Sequence, residues 1–524
     1  MLRPPSPSRP LRASRSGRTT LGRVAAGAAA LALVVTGCST TPAKNQQPVP
    51  AASTPAVPQG AAPGLETFYG QAVEWTVCGD FQCGTATVPI DYADPAAGTI
   101  ELALRRAPAT DGEAAGSLLI NPGGPGASGV DFVEGAVQRI SAPVLEEYDV
   151  VGFDPRGVGL SAPVTCLDPA AKDALLSRDV DSTTDAGLQE AREAYRALGE
   201  ACAANTGPLL GHVDTESAAR DMDVLRAVLG DERLTYLGYS YGTALGATYA
   251  GLFPERVGRL VLDGALDPSL PAAEVGLGQA VGFENALRAY VEDCQGGTDC
   301  PLTGTVDEGL VQVRDLLERA RRAPLATDSD RVLTGSLAFY GIALTLYDEA
   351  SWPVLTQALT AALRADDGSI LLALADLYND RNEDGTFASN STEAFTAINC
   401  LDGASSPDPE VMRAEAAELV EAAPTVGAWF AYGGWPARSG RTRRRGGRAD
   451  HRRGGAAHPG DRHDQRPRDA VRVVAGPRRA AVVGGAADLP GEGHTAYGRS
   501  NECVAAAVDA YLLQGTVPAE GTRC

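Results

Sequence analysis

The sequence predicts an α/β fold: a mainly parallel β-sheet flanked by helices, with a helical cap inserted into it. Three observations carry this. Between residues 65 and 267, short apolar runs alternate with helical stretches, the pattern of successive strand–helix–strand units. The runs end in glycine-rich turns, and in parallel sheets functional groups gather at the carboxyl ends of strands. Residues 268–425 then lose the strand signal, and Val311 to Ala320 and Thr356 to Leu363 place apolar residues at helical spacing.

In chain order, residues 1–38 read as a targeting segment. Arg9, Arg12, Arg15, Arg18 and Arg23 precede a twelve-residue apolar run, Val24 to Val35, which is too short to span a bilayer as a mature helix. Val35-Thr36-Gly37-Cys38 resembles a bacterial lipoprotein processing site with Cys38 as the lipid carrier. The competing reading is an ordinary secretory signal with an incidental cysteine. Residues 39–64 are rich in Pro, Ala, Gln and Thr, a composition that tethers and does not fold. Residues 65–267 form the first part of the core, with strands at Ser117–Ile120, Tyr148–Phe153, Leu234–Leu237 and Arg259–Asp263 and a helix around Glu216–Leu229. The cap, 268–425, is followed by a return to the core at 426–436 and by a C-terminal core segment at 490–524.

The net charge of −21 argues against a nucleic-acid partner. Export implies an oxidising compartment where cysteines pair. Beyond Cys38, spacing suits local pairs 78–83, 166–202, 294–300 and 503–524, although spacing alone does not fix connectivity, and Cys400 is left over. The histidines and cysteines show no metal-ligand spacing, so neither metal nor organic cofactor is implied. The expected state is a monomer held at the outer face of the cytoplasmic membrane by its lipid, or secreted.

The motif with most chemistry is Gly238-Tyr239-Ser240-Tyr241-Gly242. It fits G-x-S-x-G, follows a strand-like run and precedes a helix-compatible stretch of small residues. A serine on such a turn has a strained backbone and an exposed Oγ. Because a serine hydroxyl is too weakly acidic to attack alone, it needs a base. Gly491-Glu492-Gly493-His494 supplies one, and the chain order, nucleophile first and histidine last, is that of the α/β hydrolases. Asn121-Pro122-Gly123-Gly124-Pro125-Gly126 reads as a loop whose N–H groups approach a developing oxyanion; Tyr241 N–H and Gly124 N–H are the expected donors. A phosphate cradle is the alternative, but the P-loop lysine is absent. Arg156, in Asp154-Pro155-Arg156-Gly157, reads as a structural turn residue.

Together these motifs, with Val158-Gly159 and the tail from Gly491 to Cys524, resemble the exported tripeptidyl aminopeptidase-like α/β hydrolases of actinobacteria, relatives of the proline iminopeptidases. The resemblance covers roughly 65–436 and 490–524. It implies a Ser-Asp-His hydrolase with a helical cap that releases short peptides from free N-termini, some relatives acting on small esters or amides.

Residues 437–489 depart from that family. They hold fourteen arginines, five aspartates and no glutamate in an otherwise acidic chain. A basic tail, a nucleic-acid patch and a frameshifted translation are the three readings. The genetic code favours the last. Read one base later, codons 458–473 permit I-L-V-I-G-T-T-N-D-P-A-T-P-Y-E-W and codons 474–489 permit S-Q-A-L-A-E-Q-L-S-S-A-V-L-L-T-Y. N-D-P-A-T-P-Y resembles the family's acid loop, and the acid's codon straddles Arg466 and Pro467. As written, the triad acid is unassigned, with Asp464 a weak substitute, and two apolar strands are lost, leaving a sheet edge open; if the stretch is real, the alternative is a catalytically impaired surface lipoprotein. The family also usually carries a cysteine soon after a Gly-x-Pro such as Gly434-Trp435-Pro436, where this chain has Ala437; the resemblance implies that Cys400 is its stranded partner.

Overall fold

The computed structural model describes residues 62–181, 184–403, 406, 408–432, 470–475, 486–489, 493–519 and 521–524. Cys38, most of the tether, Ala437, Asp464, Arg466 and Pro467 lie outside them.

Ten strands form one sheet. They are β1 (Thr76–Cys78), β2 (Phe81–Pro89), β3 (Thr99–Ala107), β4 (Gly116–Asn121), β5 (Tyr148–Phe153), β6 (Leu234–Tyr239), β7 (Val257–Asp263), β8 (Ala470–Ala475), β9 (Ala486–Leu489) and β10 (Thr522–Arg523). The order is β1-β2-β3-β5-β4-β6-β7-β8-β9-β10. Pairing is antiparallel from β1 to β5 and parallel from β5 through β4 to β10. The mainly parallel sheet of the sequence reading is therefore present. Its central strands β4, β5 and β6 are nearly continuous apolar runs, as expected where helices cover both faces.

One expectation is corrected. The arginine-rich stretch does not leave the sheet open at β7. Leu260–Asp263 pair in parallel with Ala470–Val473, and Arg472–Ala475 pair with Ala486–Leu489. Ladder hydrogen bonds come from the main chain, which every residue but proline supplies. The run Ala470-Val471-Arg472-Val473-Val474-Ala475 has three valines, a residue type enriched in strands.

Helices Thr215–Val228 and Tyr241–Leu252 pack against the sheet through Met222, Leu225, Leu245 and Tyr249, all fully buried. A second apolar cluster joins helices Ala272–Gly296, Val306–Arg322, Gly335–Thr345, Trp352–Arg364 and Ser369–Tyr378. Its best-signalled member is Val306–Arg322. Thr305 and Glu308 form a capping box, the first turn is acidic, and Arg319, Arg321 and Arg322 close the last turn, each favourable to the helix dipole. Four disulfides join 78–83, 166–202, 294–300 and 503–524. Cys400 is free and half-buried, and burial pushes its thiol up to about 12.

Candidate active site

Ser240 sits between the end of β6 and the start of helix Tyr241–Leu252 with φ +54°, a backbone region costly for a residue with a Cβ. Neighbours enforce it. Ser240 N–H donates to Asp263 O at 2.9 Å, and its carbonyl accepts from Thr243 N–H at 2.9 Å and the Thr243 hydroxyl at 2.6 Å. The flanking glycines allow close contact: a Cβ at Gly238 would lie 2.5 Å from Gly242 O, and one at Gly242 would lie 2.9 Å from Asn121 O.

The Asn121–Gly126 loop folds directly onto this turn. Gly123 and Gly124 have φ of +101° and +106°, open only to glycine at low cost. A Cβ on Gly123 would stand 2.9 Å from Ser240 Cβ and 3.1 Å from Tyr241 N. Asn121 Oδ1 accepts Gly123 N–H at 2.9 Å, which takes that N–H out of play. Tyr241 N–H, the first of its helix, and Gly124 N–H have no acceptor among the described residues. Two N–H groups without an acceptor thus lie on the two segments that meet at Ser240, one at Tyr241 and one on the loop whose Gly123 abuts the turn.

His494 lies on the loop after β9. Its N–H donates to Tyr347 O at 3.3 Å, and its ring meets the Tyr347 ring edge-on at 5.4 Å. The residue is exposed, yet surrounding protein atoms desolvate the ring. That desolvation, and then the positive charge of Arg499, lower its pKa below the usual 6.5. Arg499 is held by Thr495 O and lies 3.7 Å from Asp348. Among the described residues no hydrogen bond joins the side chains of Ser240 and His494.

What joins their loops is Asp263, which sequence reading missed. Its carboxylate, fully buried at the end of β7, accepts Ala496 N–H at 3.0 Å and Tyr497 N–H at 2.8 Å. Burial raises its pKa to about 6 against these hydrogen bonds. The signal available was an aspartate closing an apolar strand run. Arg156 is structural, as read: fully buried, it pairs with Asp221 at 2.6 Å and donates to the carbonyls of Pro89, Ile90 and His212.

A family profile described as the alpha/beta hydrolase fold matches residues 116–344, and one described as TAP-like protein matches 476–524. The second begins at residue 476, so residues 476–489, expected to depart from the family, fall within its match. The serine protease Hip1 of Mycobacterium tuberculosis is 35% identical over 541 residues, which cover 95% of this chain and 96% of that protein. Carboxylesterase B of the same organism is 34% identical over 491 residues, covering 89% and 92%. The tripeptidyl aminopeptidase of Streptomyces lividans is 33% identical over 337 residues, covering 63% and 62%.

Proposed function

Because the chain belongs to the TAP-like family of α/β hydrolases, we propose that this serine hydrolase is an exopeptidase that releases short peptides from free N-termini through an acyl-enzyme. The observation that supports hydrolysis at Ser240 is its strained turn with the Asn121–Gly126 loop folded against it, and the free-N-terminus specificity is proposed from the tripeptidyl aminopeptidase relative. Ser240 Oγ attacks the carbonyl while His494 takes its proton. The N–H groups of Tyr241 and Gly124 hold the oxyanion, and His494 returns the proton to the leaving amine. Water then repeats the sequence to release the acyl group.

The acid that orients His494 is expected at position 466, with Asp464 the weak substitute. Asp263 is not read in this role: among the described residues no hydrogen bond joins its carboxylate to the His494 ring, and its oxygens accept the main-chain N–H groups of Ala496 and Tyr497. The stretch 437–489 is read as out of frame. Cys38 is read as a lipid anchor on the outer face of the cytoplasmic membrane.

A second reading, an esterase or amidase on the same scaffold, is favoured by the carboxylesterase match, which spans more of this chain than the aminopeptidase match. The test is covalent labelling by a fluorophosphonate probe, followed by turnover of peptide p-nitroanilides with free or acetylated N-termini and of p-nitrophenyl esters. Labelling lost in Ser240→Ala and preference for free N-termini support the exopeptidase. Equal turnover of acetylated peptides, or turnover of esters alone, sinks it.

A further inference from the structure

We propose that Asn390 and helix Ser391–Asp402 form a brace that sets both oxyanion donors, Gly124 N–H and Tyr241 N–H. The inference rests on the serine-hydrolase reading above. By position this helix falls within the sequence-defined cap. Its buried residues Ala394, Ala397 and Ile398 nevertheless pack into the apolar cluster of the sheet and not into that of the cap helices. Its two ends reach the two donors by separate routes.

At the N-terminal end, the Asn390 carboxamide accepts Gly159 N–H at 2.9 Å and donates to Gly157 O at 2.9 Å and Val164 O at 3.0 Å. That fastens the turn after β5. The turn fastens Asp154, whose Oδ2 accepts Leu160 N–H at 2.8 Å. Asp154 Oδ1 accepts the Ser128 hydroxyl at 2.6 Å and Val130 N–H at 3.1 Å, two to four residues past Gly126. The first helical turn also touches the loop directly: a Cβ at Gly126 would lie 2.7 Å from Ser391 O and 2.9 Å from Phe395 N. The segment carrying Gly124 is thus held from behind by Asp154 and from the side by the helix.

At the C-terminal end, Asp402 accepts Thr215 N–H at 2.8 Å and the Thr215 hydroxyl. A carboxylate only accepts, so the Thr215 proton points to Asp402 and Thr215 Oγ1 accepts from the Tyr241 phenol. Burial and then Asp402 push the Tyr241 phenol pKa up, which keeps it a donor. The side chain of the residue that offers the second N–H is therefore tied to the same helix. Oxyanion donors act within about 2.7–3.1 Å of the developing charge, so small displacements of this helix weaken both. Asn390, Thr215 and Asp402 are positioning residues; they touch no reacting atom.

The test uses the full chain and the variants Asn390→Ala, Thr215→Val and Thr215→Ser, with Glu200→Ala on an exposed surface pair as control. Two readouts are taken: the second-order rate of Ser240 phosphonylation by a fluorophosphonate, and kcat and KM on a p-nitrophenyl ester. Asn390→Ala and Thr215→Val should slow phosphonylation and kcat about 10- to 100-fold, less than the 10²–10³ typical of a deleted donor. KM should hold, Thr215→Ser should recover the rate, and Glu200→Ala should match wild type. Thr215→Val conserves volume and decides the matter if Asn390→Ala does not fold. Wild-type rates in both variants, or a rise in KM at constant kcat, overturn the brace and leave the hydrolase reading intact. Absence of labelling both in wild type and in a chain whose residues 458–489 are replaced by the reading one base later overturns both.

Discussion

Asp263 O accepts the N–H of Ser240 at 2.9 Å, and the carboxylate of that same aspartate holds the loop that carries His494. One residue at the end of β7 therefore fixes two chain segments that are far apart in sequence. Gly264, the next residue, completes the junction. A Cβ there would lie 2.7 Å from His494 O, so the histidine loop rests on bare backbone.

This junction carries a pH signature. Burial raises the Asp263 pKa from 3.8 to about 6, so between those values the folded protein holds a proton that the unfolded chain releases. The contribution to stability is complete below pH 4 and is lost as pH rises through about 6. Two pKa units correspond to about 3 kcal/mol. Asp231 shifts the same way for the same reason, and it is common to wild type and variant. Thermal melts from pH 4 to 7 should thus fall less steeply for Asp263→Asn than for wild type. Parallel curves would rule the junction out as a titrating element.

Gly123→Ala should disable the site. The substitution puts a Cβ 2.6 Å from Tyr239 O and 2.9 Å from Ser240 Cβ, at φ +101°. Main-chain atoms cannot swing aside, so strain and overpacking together cost about 2–5 kcal/mol. The melting temperature should drop and fluorophosphonate labelling should vanish. Gly135→Ala is the contrast. That helical glycine has open space around it, and alanine there should stabilise by about 0.5–1 kcal/mol. A tolerated Gly123→Ala with normal labelling would show that the loop does not abut the nucleophile.

With His494 as the proposed base, Arg499 should set the acid limb of activity. Its positive charge, after desolvation, lowers the His494 pKa, which keeps the imidazole neutral and able to accept a proton to lower pH. Arg499→Gln removes the charge, so the pKa rises and the acid limb of kcat/KM moves to higher pH. Arg499→Lys should hold the wild-type limb. A limb that does not move in Arg499→Gln would separate the observed titration from His494.

The sequence revealed what local chemistry dictates. Strands β4 to β7 follow their apolar runs, and the Ser240 turn follows its glycines. The four disulfides close loops short enough for spacing to suggest them. The antiparallel β1–β3 went unread although Ile100 and Leu102 alternate with exposed Thr99 and Glu101 on β3. Other features depend on distant partners and leave no local trace. Asp263 accepts from N–H donors more than 230 residues away, and helix Ser391–Asp402 packs with the sheet through alanines that also suit a cap. The open edge expected at β7 failed for a different reason: main-chain pairing is largely indifferent to which residues supply it.

The remaining prediction concerns the missing acid. Strand pairing survives in 470–475 and 486–489, but backbone pairing cannot supply a carboxylate to His494. Among the described residues, the buried acid fastened to the histidine loop is Asp263, and its oxygens already face the N–H groups of Ala496 and Tyr497. Replacing residues 458–489 by the reading one base later would install an aspartate at position 466 within N-D-P-A-T-P-Y, while leaving Ser240, His494 and both N–H donors unchanged. A triad without its acid loses about 10⁴-fold in turnover, so the replaced chain should exceed the written one by about that factor, and Ser240→Ala should abolish the gain. The measurement is kcat/KM for both chains, prepared in parallel, on the same ester and peptide. Comparable activity in the two would mean that the arginine-rich stretch is a working part of the protein and that His494 is oriented by a group other than the expected aspartate.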